Sequence, residues 1–170
     1  MLEATRIAVG YDDNEDRIFI DFSGAERQCR LWLTRRITRR LWSAIMDILE
    51  RSSPIASKTP ADMRQEVIAF EHLSAISRPE PAAGAGPDAK PVERSAALLA
   101  KVDISFTAES FRLVFHAAAE PAAALTIGRA ELHKVLALLD QSATAAEWDL
   151  GVATDWLRWP NRSAPEKLAS

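Results

Sequence analysis

Apolar and polar residues alternate along the first part of the chain in three short runs. Arg6 to Tyr11 and Arg17 to Phe22 flank the polar stretch Asp12-Asp13-Asn14-Glu15-Asp16, and in the second run Ile18, Ile20 and Phe22 alternate with Arg17 and Asp21. Period-two alternation on both sides of a turn-forming run predicts a β-hairpin. After a second turn at Ser23-Gly24-Ala25-Glu26, Gln28 to Leu33 alternates again. Cys29, Leu31 and Leu33 fall on one face, and Gln28, Arg30 and Trp32 on the other. The period then changes. Thr34 is the predicted N-cap of a helix that starts at Arg35 and carries Ile37, Leu41, Ile45, Ile48 and Leu49 at helical spacing. Ser52-Ser53-Pro54 ends it, because proline disfavours helical geometry in the residue before it.

A similar order returns further on. Lys101 to Phe106 alternates, Ala108-Glu109-Ser110 turns, Phe111 to Ala117 and Ala122 to Ile127 supply two more strands, and Thr126 or Gly128 leads into a helix with Leu132, Val135, Leu136 and Leu139 on one face. Between the two units, Thr59-Pro60-Ala61-Asp62 has the form of a helix start, followed by the apolar stripe Met63, Val67, Phe70 and Leu73. A stretch rich in Pro, Gly and Ala then reads as a flexible linker. The expected fold is α+β: two βββα units of low residue identity, about 90 residues apart, forming antiparallel sheet packed by helices, with an extra central helix. The expected divisions are 1–53, 54–78 (central helix), 79–97 (linker), 98–146 and 147–170 (a Trp-rich C-terminal segment).

Composition narrows the function classes. The chain has 170 residues, 48% hydrophobic and 26% charged, with a net charge of −3. That is enough apolar material for a globular core and disfavours a general nucleic-acid binder. No run approaches a membrane span, the first residues carry no secretory pattern, and the single cysteine has no internal disulfide partner. A cytoplasmic protein, of bacterial composition, is expected.

Catalytic and metal signals are weak. Asp12-x-Asn14-x-Asp16 opens like a calcium loop, but Arg17 and Ser23 stand where that loop needs glycine and glutamate. His72, His133 and His116 have no zinc-type spacing and read as ordinary histidines. Cys29 shares a face with Leu31 and Leu33, which points it to the core despite the neighbouring Arg27 and Arg30. The chain also lacks a nucleophile elbow, a phosphate-cradling glycine loop and a dinucleotide fingerprint. Accordingly no catalytic residue, metal ligand or cofactor is assigned.

Two features point to binding. Arg35, Arg36, Arg39 and Arg40 crowd the first turns of the first helix, where the helix dipole disfavours cations. The acidic run at Asp12–Asp16, an acidic partner or phosphates are the candidate counterions. Trp148, Trp156 and Trp159 lie near the C-terminus, with Trp156 and Trp159 in a segment of no regular amphipathic pattern that either folds back over its own sheet or docks a partner. The expected function is that of a small non-enzymatic adaptor or accessory protein. It would bind another protein, or a second copy of itself, through Arg35, Arg36, Arg39, Arg40, Trp156 and Trp159. The alternative is single-stranded nucleic-acid binding, with the arginines on phosphates and Phe19 or Trp32 stacking on bases. An enzyme with a dispersed active site is a third class.

Overall fold

The computed structural model describes residues 1–77 and 93–151. In chain order its elements are β1 (Leu2–Ala4), β2 (Arg6–Asp12), β3 (Arg17–Ser23), β4 (Arg27–Leu33), α1 (Arg35–Ser52), α2 (Arg64–Ile76), β5 (Glu93–Phe106), β6 (Phe111–Ala117), β7 (Glu120–Ile127) and α3 (Arg129–Ala145). The class is α+β. The alternating runs form the strands expected of them, and Thr34 caps α1 by accepting a hydrogen bond from the Ile37 amide.

The strands form one curled sheet in the order β1-β7-β6-β5-β4-β3-β2. It is mixed, not antiparallel throughout: β4 runs parallel to β5, and β1 parallel to β7. The reason lies in the connections. Between β4 and β5 the chain passes through two helices, and a connection of that length allows the next strand to run in the same direction, which a tight hairpin does not. β5 also starts earlier than the alternation implies, so residues 93–97 are strand and not linker. Its first half, Glu93–Leu98, pairs with β4; its second half pairs with β6, and the register slips between Leu99 and Lys101. A strand that changes neighbours at such an irregularity turns a corner. The N-terminal chain does likewise, with β1 on β7 and β2 on β3.

The curl brings the two halves of the inner face together. Phe22 on β3 meets Phe115 on β6 with ring centroids 4.7 Å apart. Ile18, Ile20, Leu31, Leu33 and Leu113 are fully buried beside them. α1 packs against β5 and α3 against β2, and the two helices also touch each other. Leu41, Trp42, Ile45 and Leu49 from α1 join Leu132, Leu136 and Leu139 from α3 in the same core. Gly24 makes the seam at β1 feasible: a Cβ there would lie 2.6 Å from Leu2 Cδ1 and 2.9 Å from the Glu3 carbonyl oxygen. Gly24→Ala is therefore expected to cost about 1–3 kcal/mol by overpacking, read as a lowered midpoint in urea unfolding. An unchanged midpoint would show that β1 is free to shift.

The middle helix departs from expectation. Residues Ala61–Met63 form a 3-10 turn, α2 starts at Arg64, and the Thr59 hydroxyl donates to the Ile55 carbonyl instead of capping. The predicted stripe is covered only in part: Val67 packs against the core and Leu73 is half-buried. Met63 is 50% exposed and Phe70 73% exposed, while Ile68, His72 and Ala75 face inward. The buried face is partly polar because α1 and α3 supply polar partners for it, which apolar periodicity does not register.

Candidate functional site

The arginines predicted to bind a partner are all exposed on α1. Arg35 is tied down: its guanidinium donates to the Asp149 carbonyl through Nε at 2.8 Å, and through Nη2 as well. Arg36, Arg39 and Arg40 make no hydrogen bond or ion pair among the described residues. With Ser43, Ala44 and Asp47 they line a shallow depression of 450 Å³. The first turn of α1 contains no acidic residue, so the dipole cost anticipated from the sequence stands uncompensated on the helix itself. The acidic hairpin is not their counterion. Asp12 Oδ1 accepts the amides of Asn14 and Glu15, and Asp16 accepts the Tyr11 hydroxyl.

Trp156 and Trp159 lie outside the described residues. The last described residue, Gly151, sits against the α1 arginines, a Cβ there lying 3.8 Å from the Arg39 guanidinium. Trp148 packs partly buried on the core. Trp42 is 4% exposed and belongs to the interior, whereas Trp32 is half-buried on the opposite face of the sheet.

That outer face is the second candidate surface. Ladder register sets out its rows: Ala8, Asp21, Arg30 and Ala96 in one, and Gly10, Phe19, Trp32 and Leu98 in the next. Arg30 donates to both Asp21 oxygens at 2.7 Å, a two-point contact that raises the guanidinium pKa. The same guanidinium lies 4.0 Å over the Phe19 ring and 5.1 Å from the Trp32 ring. Phe19 and Trp32 meet edge to face at 6.0 Å. Gly10 is needed beneath them, since a Cβ would stand 2.7 Å from Phe19 Cζ. Beside the aromatic row, a groove of 590 Å³ runs over Ala8, Asp21, Ser23, Gln28, Arg30, Trp32 and Ala96.

A third polar cluster is internal and was not anticipated. Arg129, the first residue of α3, donates to Glu71 Oε2 from Nε at 2.9 Å and Nη2 at 2.6 Å. It also reaches Ser52 Oγ at 2.8 Å and the Leu49 carbonyl at 2.6 Å. Ser53 donates to the other Glu71 oxygen at 2.7 Å. The cluster thus joins α1, α2 and α3. Under α2, His72 and His133 are each 1% exposed, with ring centroids 5.5 Å apart. His133 Nε2 stands 3.6 Å from Glu71 Oε2, beyond hydrogen-bond length. Burial pushes both imidazole pKa values down to about 4. His72 and Arg129 add to the depression at His133, Glu71 opposes it, and Asp140 opposes it at His72. Both histidines are therefore neutral at pH 7. The sequence did hold a signal: arginine opens both helices, at Arg35 and Arg129, and each reaches across to the chain at the end of the other helix.

His116 Nε2 lies 2.9 Å from Asp103, and Cys29 is 7% exposed on the core side of β4. Among the described residues no group of three or more His, Cys, Asp or Glu side chains is placed to hold a metal, and no helix is long and apolar enough to cross a membrane. Compared with known proteins, the chain matches no family model, no curated protein and no solved structure.

Proposed function

We propose that the chain is a non-enzymatic binding or assembly protein made of two related βββα units. It docks an acidic protein surface through Arg36, Arg39 and Arg40, with Trp156 and Trp159 as apolar anchors. The observation that carries this reading is the contrast between equivalent helices. The buried positions of α1 pair with buried positions of α3 at one constant offset: Thr38 with Leu132, Leu41 with Val135, Trp42 with Leu136, Ile45 with Leu139, Ile48 with Ser142 and Leu49 with Ala143. The same offset pairs Arg39 with His133, and His133 lies fully buried against His72 of α2. The corresponding place on α1 presents exposed guanidinium groups. Three like charges near a helix N-terminus are unfavourable in isolation, and an acidic partner removes that penalty while gaining charge-assisted hydrogen bonds. The chain leaves the described structure beside Arg39, which brings the start of the Trp-rich segment to the same place.

The test is a triple charge reversal, Arg36→Glu, Arg39→Glu and Arg40→Glu, in affinity co-purification from nuclease-treated extract. A protein retained by the native chain is expected to be lost by the variant, and weakened by Trp156→Ala with Trp159→Ala. Arg36→Glu alone is expected to raise stability by about 0.3–1 kcal/mol, because it places an acid in the first turn. Loss of a partner together with a gain of stability separates docking from a structural role. Retention of the same partners by the triple variant would overturn the reading.

A further inference from the structure

We propose that the outer face of β2–β5 is a binding site for single-stranded nucleic acid, separate from the α1 arginines. Bases stack on Trp32 and on the outward side of the Arg30 guanidinium, and phosphates meet Arg6 and Arg17. Three observations support this occupant. The first is the stacking material. Trp32, Phe19 and Leu98 form one row across three strands, Leu98 is 49% exposed, and the Arg30 guanidinium carbon already lies 4.0 Å over the Phe19 ring. Aromatic rings and guanidinium planes accept any base by its π-face.

The second is the shape. Ala8 and Ala96 leave the floor beside this row low, and the resulting 590 Å³ groove has the dimensions of a site for a planar group. The third is the charge. On a chain of net charge −3, this face carries Arg6, Arg17 and Arg30 against Asp12 and Asp21. Both carboxylates are already engaged, Asp21 by Arg30 and Asp12 by the turn amides. Arg30 neutralises Asp21, and of the other two cations Arg6 stands exposed at one margin and Arg17 at the other, beside the acidic turn Asp12–Asp16. An acidic peptide could meet these cations but would leave the stacking row unused.

The experiment is fluorescence anisotropy of the full chain with labelled oligo(dT) and oligo(dA) of about 20 nucleotides at about 50 mM salt, where sequence-independent binding is strong. Dissociation constants in roughly the micromolar range are expected, with a log–log salt slope of about −1.4 for the two phosphate contacts at Arg6 and Arg17. Trp32→Ala is expected to weaken binding about tenfold, the effect of removing one stacking platform. Ala96→Glu, which puts a carboxylate at an exposed groove position without touching the core, is expected to abolish binding at an unchanged melting temperature. Polyglutamate is expected not to compete. The proposal is overturned by any of four results: no binding at about 100 μM, ample for an interaction of this class; undiminished binding by Trp32→Ala and Ala96→Glu; equal competition by polyglutamate; or loss confined to the Arg36, Arg39 and Arg40 reversal. The last result would place the nucleic acid on α1, so failure here is distinguishable from failure of the protein-docking reading.

Discussion

Arg129→Ala is expected to destabilise the protein by about 3–5 kcal/mol, the usual cost of stripping one partner from a buried ion pair. Glu71 has 16% side-chain exposure and Arg129 26%, so water replaces the lost guanidinium only in part. The deletion also orphans Ser52 Oγ as an acceptor and the Leu49 carbonyl near the end of α1. Urea unfolding checks the size of the loss. Glu71→Gln with Arg129→Met is expected to recover much of it, since removing both charges leaves neither uncompensated. The comparison variant is Arg35→Ala. Its guanidinium sits at the start of the other helix but is exposed and bonded to a single carbonyl, so its loss is expected to cost no more than about 1.5 kcal/mol. Equal losses for the two arginines would mean that burial under α2 does not set the energetics.

Acidification is expected to be nearly as damaging. In the unfolded chain His72 and His133 take up protons near pH 6.5, while in the folded protein they hold out until about 4. Between these values the unfolded state binds more protons, so stability falls as pH falls. Each histidine can contribute a slope of up to about 1.4 kcal/mol per pH unit and a total of roughly 3 kcal/mol; above about pH 6.5 stability from this source is flat. The groups facing the pair are Glu71, Arg129 and Asp140. Measurements between about pH 6.5 and 5 isolate the histidines, since ordinary carboxylates titrate lower and those of Glu3 and Asp103 are held lower still by Arg112 and Lys101. His133→Phe is expected to remove about half of the slope. A wild-type unfolding free energy that does not change across this window would contradict a neutral, buried histidine pair.

The same cluster shows where sequence reasoning stops. Alternation placed Ile18, Ile20 and Phe22 inward and Arg17 and Asp21 outward, and the strand has that arrangement. On α2 the corresponding argument selected Met63, Val67, Phe70 and Leu73, although Ile68, His72 and Ala75 are the buried residues. An apolar stripe identifies a buried face only when the cover is apolar. Here Arg129, far away in the chain, makes it favourable to bury Glu71, and no local pattern encodes that partner. The α1 arginines were conspicuous because their placement violates a local rule. That Arg35 is engaged by Asp149, while Arg36, Arg39 and Arg40 are not engaged among the described residues, depends on where the chain returns after α3.

The amino-acid sequence by itself determined the elements whose causes are local: the alternating strands that precede α1, the Lys101–Phe106 part of β5, the positions of α1 and α3, the Thr34 cap, the end of α1 before Pro54, and the outward face shared by Arg30 and Trp32. These depend on the period of apolar positions and on caps and turns, interactions that span a few residues. Only the tertiary structure decided the parallel joins of β4 with β5 and β1 with β7, the corner where β5 changes neighbours, and the polar interior beneath α2. Periodicity states which face of an element seeks cover. The identity of the cover is a contact between distant residues, settled when the chain closes on itself.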